Sequence, residues 1–370
     1  MLPSQSPLPS RTELLEGARE LLRRSAEATE PCEAIRCVLA ICHTAGSKEL
    51  PDTLRCRAHL AAGSLLHEHT EEPAQAVQHI RIALGLCSKL THSSSDCLLK
   101  TVCGAIRVAQ SLLRSGALSE ARKLLSTIQG VLQQQTDGTR GSANDSKAPP
   151  PLPPQMLEAV QWLKAHAGVL HVGLSVREGQ LMAAERKAQG LIDVVHALPG
   201  THGLSTCPSR EELLRVLRLH LAIILVRQGE LTQGASKLDE LLVDLKHAVA
   251  GDESDGRRAT LAVEAGLLRA SVHVARLEFD AVLALAPQLQ EALCRPREHT
   301  SDGRAADRLP SGTSAWLLLV AHAALRVGDG HGAAKLLKRA AEAEATRGCA
   351  PGAVSQWCEL MLVLLQPLSP

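Results

Sequence analysis

The sequence predicts an all-α chain built as an array of paired helices, and three observations carry that prediction. Leu and Ala dominate a chain that is 45% hydrophobic, and they are the strongest helix formers. Aromatic residues, on which strands lean together with β-branched ones, are reduced to three Trp and one Phe, with no Tyr. One local pattern then recurs: Arg114-Ser-Gly116-Ala-Leu-Ser-Glu-Ala121, Arg177-Glu-Gly179-Gln-Leu-Met-Ala-Ala184, Arg227-Gln-Gly229-Glu-Leu-Thr-Gln-Gly234 and Arg326-Val-Gly328-Asp-Gly-His-Gly-Ala333.

Each Gly ends one helix in a backbone conformation that costs other residues more, and so lets the chain reverse. A small residue follows five positions later, with apolar positions at +4 and +7 from it on the same helix face. The triplets are Ala121, Leu125, Ile128; Ala184, Ala188, Leu191; Gly234, Leu238, Leu241; and Ala333, Leu337, Ala340. This is the grammar of tetratricopeptide (TPR) repeats, in which helix A, a tight turn and helix B pack through small residues. Ala76, Ile80 and Ala83 form a further triplet, with Gly63 as the small residue of its helix A. Another pair spans 261–275 and 279–293, with Ala281 and Leu285 in register and Pro287 expected to kink or break the second helix. The predicted fold is therefore an α-solenoid, a TPR-like superhelix of about six helix pairs plus terminal helices.

Four regions follow: a disordered N-terminus at 1–10, TPR-like repeats at 11–135, a proline-rich disordered loop at 136–154, and TPR-like repeats at 155–366. The predicted helices are 11–26, 32–45, 51–68, 73–90, 95–115, 118–134, 155–177, 180–197, 209–228, 231–249, 257–276, 279–294, 312–327 and 331–346. A last helix at 352–366 is expected to cap the array.

The 40 basic and 39 acidic residues nearly cancel, and base-stacking aromatics are scarce, so direct nucleic-acid binding is not expected. No run reaches the roughly 18 apolar residues a membrane span needs, and the first residues lack an apolar signal core. A soluble intracellular protein is the expectation. The eleven cysteines, an odd number without a C-x-x-C pair, read as reduced core residues.

No motif for catalysis stands out. His67 and His69 are two apart, a spacing that turns helical side chains about 200° from each other and denies them a shared metal. H-E-x-x-H, a P-loop and G-x-S-x-G are absent. Neither an enzyme nor a metal or cofactor site is expected. The run Pro149-Pro150-Pro151-Leu-Pro153-Pro154 reads as a linker, with an SH3 or WW ligand as its alternative.

In TPR arrays the A helices line a concave surface. The positions assigned to it here are Arg57, Leu60, Ser64 and His67; Cys103, Ile106, Gln110 and Arg114; His166, Val169, Gly173 and Arg177; and Val216, Leu219, Ile223 and Arg227. Such a groove is apolar with an Arg at the rim of each unit, ending at Arg326, and suits an extended or helical peptide anchored through carbonyls or acidic side chains. An Arg in the last helical turn also favours the macrodipole without any ligand.

One stretch carries a narrower likeness. Arg57-Ala58-His59-Leu60-Ala-Ala-Gly63-Ser64-Leu65-Leu66-His-Glu-His69-Thr70, then Gln75-Ala76-Val-Gln-His79-Ile80-Arg-Ile-Ala83, resembles the first repeat of the TPR subunit of the cohesin loader, the Mau-type sister chromatid cohesion factors. That family shows R-x-H-L-x-x-G-x-x-L-x-x-H-T followed by Q-A-x-x-H-L-x-x-A. Weaker likeness runs through Gly190–Pro199 and Ser209-Arg-Glu-Glu-Leu-Leu-Arg215-Val. The resemblance implies a non-catalytic TPR superhelix that wraps the extended N-terminal segment of the large HEAT-repeat loader subunit. The pair loads the cohesin ring onto chromatin in the nucleus, so cohesin is an indirect partner. The competing expectations are a generic TPR adaptor of another assembly, in nucleus or cytoplasm, and a TPR-regulated enzyme or transcription regulator. The last needs a separate catalytic or DNA-binding domain, for which no stretch is free.

Overall fold

The computed structural model describes residues 11–43, 49–70, 72–89, 95–137, 153–199, 207–247, 254–294 and 313–345. Among the described residues there are fourteen helices and no strand: α1 (Arg11–Glu27), α2 (Pro31–His43), α3 (Asp52–His69), α4 (Pro73–Cys87), α5 (Ser95–Ser115), α6 (Leu118–Asp137), α7 (Pro154–Arg177), α8 (Leu181–His196), α9 (Arg210–Arg227), α10 (Leu231–His247), α11 (Ser254–Ala275), α12 (Phe279–Cys294), α13 (Thr313–Val327) and α14 (Gly330–Ala345). The chain is all-α, and each helix packs chiefly on its neighbours in sequence, as a helical repeat requires. The expected capping helix at 352–366, the N-terminal 1–10 and most of 136–154 lie outside the described residues. Thr136 and Asp137 extend α6, and Pro154 opens α7 at a first-turn position where its missing N–H costs nothing.

The chain divides into two compact units, Met1–Leu214 and Arg215–Pro370. In the first, the A helices α3, α5 and α7 lie side by side, while α4 packs on α6. Their shared core runs through Val77, Ile80 and Leu84 of α4, Val102, Ile106 and Leu112 of α5, Leu124, Leu125 and Ile128 of α6, and Val160 and Leu163 of α7. Helices α1 and α2 add a smaller core of Ala18, Ile41, Leu54 and Ala58 with α3. The second unit packs Leu219 and Ala222 of α9 on Leu238 and Leu241 of α10 and on Leu261 and Ala265 of α11. Val282 of α12 and Trp316 and Val320 of α13 continue the sequence of contacts from Val263 and Ala270.

Small residues fix how closely each pair packs. A Cβ on Gly63 would overlap the Ile80 side chain and stand 2.8 Å from the carbonyl oxygen of Ala76. Ala76, Ile80 and Ala83 are all fully buried against α3. In α10 a Cβ on Gly234 would lie 2.7 Å from Val226 Cγ2.

The turns repeat one geometry. Gly116, Gly179, Gly229 and Gly328 have φ of 84°, 77°, 89° and 93°, each following the last turn of an A helix. The next residue's N–H reaches five residues back, as in Ala117 to Leu112 at 3.0 Å and Gln180 to Ser175 at 2.9 Å, which is the Schellman closure. The pair α11–α12 turns the same way with Leu277 at φ 63°. Counting five from that residue puts Val282, fully buried, in the small-residue position, so the register expected through Ala281 and Leu285 is one residue off. Pro287 does not break α12. It is exposed, so its ring takes no place in the core.

Candidate partner-binding surface

The A helices present fewer apolar side chains than their spacing predicts. On α3, Arg57 is exposed and Leu60, Ser64 and His67 are half-buried. Leu60 is turned toward α5, where its Cδ1 lies 2.9 Å from the position a Cβ on Gly104 would take. Burial depresses the His67 pKa, and its neighbour Glu68 opposes that shift only in part. On α5, Gln110 is half-buried and Arg114 exposed, with Arg107 exposed one turn before Gln110's level. Three expected groove positions are instead core: Ile106, Val169 and Leu219 retain 1%, 2% and 3% of their surface. An A helix touches its own B helix and the A helices beside it, so its buried arc is wider than the two-helix register allowed. His166 and Gly173 are buried for the same reason, whereas Cys103, Val216 and Ile223 keep partial exposure.

The arginines at the A-helix ends also divide. The Arg177 guanidinium donates to the carbonyl of Leu113 in the last turn of α5, tying one repeat to the next. Arg326 lies over the Phe279 ring at 5.4 Å from its centroid, a cation–π contact within the second unit. Arg114 and Arg227 are exposed at equivalent places. A terminal Arg therefore ties neighbouring repeats together at Arg177 and Arg326, while Arg114 presents an exposed cation on α5.

Between α10 and α11 a wide, open cleft of about 680 Å³ is lined by Thr232, Ser236, Asp239, Arg269 and Arg276. Its arginines are engaged: Arg269 makes two bonds to Asp239 at 2.8 and 3.0 Å, and Arg276 donates to Thr232 Oγ1 at 2.9 Å.

Two side-chain clusters lie beyond what sequence spacing revealed. Cys56, Cys87 and Cys97 meet around Thr101, whose hydroxyl is 3.1 Å from Cys56 Sγ, with Cys87 and Cys97 sulfurs 3.9 Å apart. Hydrogen bonds from the other two thiols, with Arg57 nearby, hold the Cys97 pKa down; bonding to its neighbours and burial push that of Cys87 up. The second cluster joins Cys42 of α2, His59 of α3 and His79 of α4, whose ligand atoms all lie within 4.8 Å of one another. The only advance signal was that both histidines stand in the 57–83 motif, and Cys42 carried none.

No helix among the described residues is long and apolar enough to cross a membrane. No family model matches the chain, and no curated protein matches it either.

Proposed function

We propose that the chain is a non-catalytic scaffold that wraps the extended N-terminal segment of a large HEAT-repeat partner and supports loading of cohesin onto chromatin in the nucleus. The observation that carries this reading is the α3–α4 hairpin. Its residues 57–83 bear the family-like motif, and Gly63 of that motif sits at the closest approach of the two helices. The motif thus coincides with one complete repeat, as a transferable TPR unit would.

The surface left by α3 and α5 supports a peptide ligand. Arg57, Arg107 and Arg114 are exposed cations, and Ser64, His67 and Gln110 are partly accessible polar groups between them. Such a surface matches main-chain carbonyls and acidic side chains of an extended segment. It suits polar anchoring better than the apolar channel expected from spacing, because Ile106 and Val169 are core.

Native affinity purification of the tagged full chain from nuclear extract tests the reading. Stoichiometric recovery of a large HEAT-repeat protein together with cohesin is the expected result. Recovery with a different assembly and neither of these favours the generic adaptor.

A further inference from the structure

We propose that Cys42, His59 and His79 form a zinc site that clasps α2, α3 and α4 together at the start of the repeats. The three side chains come from three successive helices, so no local sequence pattern places them; packing alone brings them to one point. His59 Nδ1 and His79 Nδ1 stand 3.0 Å apart. Two nitrogens bound at 2.0–2.1 Å to a tetrahedral zinc ion stand roughly 3.3 Å apart, so the pair already spans one edge of such a site. Cys42 Sγ lies within 4.8 Å of both. One thiolate with two imidazoles is a borderline-soft donor set, which favours zinc over the hard cations that take oxygen.

Without an ion, one imidazole must donate N–H to the other's bare nitrogen, whose lone pair is taken up by that bond. Zinc uses both nitrogens and the sulfur at once. Its binding releases the thiol proton of Cys42, while the imidazole proton on Nδ1 relocates to Nε2 of the same ring. These three side chains supply three ligands, and the fourth position of a tetrahedral ion is left to water. The neighbouring thiol cluster of Cys56 on α3, Cys87 on α4 and Cys97 on α5 supplies the internal control, being the other group of soft ligands among the described residues.

The test is metal content and cobalt spectroscopy on the full chain purified without chelator. About one zinc per chain is expected, and cobalt substitution should give a tetrahedral spectrum with a sulfur-to-metal charge-transfer band. Cys42→Ser should abolish that band, and His79→Gln should weaken zinc binding at least about tenfold against a competing chelator. Cys97→Ser should change neither. A chain that binds no zinc or cobalt overturns the proposal, as does loss of the band in Cys97→Ser with Cys42→Ser unaffected. Circular dichroism of each variant separates metal loss from unfolding. If Cys42→Ser or His79→Gln unfolds, the wild-type cobalt spectrum and the Cys97→Ser comparison still decide the assignment.

Discussion

Leu277 stands at φ 63° in the same turn position that Gly229 holds at φ 89° one repeat earlier. The closing hydrogen bonds match: Glu278 N–H to His273 O and Glu230 N–H to Leu225 O, both 2.9 Å. A branched side chain in the left-handed region costs about 1–2 kcal/mol, and glycine's extra chain entropy returns about 0.5–1 of that. Leu277 is 68% exposed, so its removal sacrifices little burial. Leu277→Gly should therefore raise stability by about 0.5–1 kcal/mol in denaturant titration. Gly229→Leu should lower it by a comparable amount, and equal stability of both variants with the parent would contradict the turn geometry.

Gly63→Ala should be costly although alanine is the better helix former. The new methyl meets a backbone oxygen at 2.8 Å, and a carbonyl within α4 cannot rotate away as a side-chain tip can. Separating the helices to fit it should cost about 1–3 kcal/mol, visible as a lowered thermal midpoint. Gly85→Ala, which meets nothing within 4 Å, is the control and should be neutral or slightly stabilising.

Burial and the nearby Lys187 depress the pKa of His171 on α7. Its folded-state value lies below the unfolded one, so the unfolded chain takes up the proton first as pH falls. This contribution to stability is complete above the unfolded pKa of about 6.5 and is lost as pH falls toward the folded pKa. His171→Gln should accordingly flatten the stability difference between about pH 7.5 and about pH 5 measured by urea unfolding. An unchanged slope would mean that His171 titrates normally in the fold.

Stability and binding should separate on α5. Ile106→Ala removes a core side chain and should cost about 2–5 kcal/mol of stability. Arg114→Ala should stay within about 0.5 kcal/mol in stability while weakening the partner. Denaturation and binding measured on the same two variants check this, and a destabilised Arg114→Ala would place that residue in the packing instead.

Much of the architecture was legible because it rests on local chemistry. Gly116, Gly179, Gly229 and Gly328 announce their turns, whereas the Ser209–Glu212 capping box that opens α9, with Ser209 N–H to Glu212 Oε2 at 2.7 Å, went unread. Leu277 hid its turn because nothing about leucine signals positive φ, and the register slipped by one residue as a result. The surface was less legible. Helix α7 buries residues on almost every side, from Val160 and Trp162 to Leu170 and Ser175, so its composition gives no apolar stripe from which to choose a face. Ile106 was misplaced because side-by-side packing of α5 with α3 and α7 is a tertiary fact. Cys42, His59 and His79 belong to the same class, being neighbours only once three helices have packed.

On the proposed function, the polar face of α3 and α5 holds the N-terminal segment of a HEAT-repeat partner. The most direct measurement is the affinity of that segment, fluorescently labelled, for the full chain and for the double variant Arg57→Glu, Arg114→Glu. Both side chains are exposed, so the variant should fold as the parent does. Saturable binding by the parent and at least about a tenfold loss in the variant are expected, from removal of charge-assisted contacts. Equal affinity for both, or no binding by the parent, would contradict the proposed function.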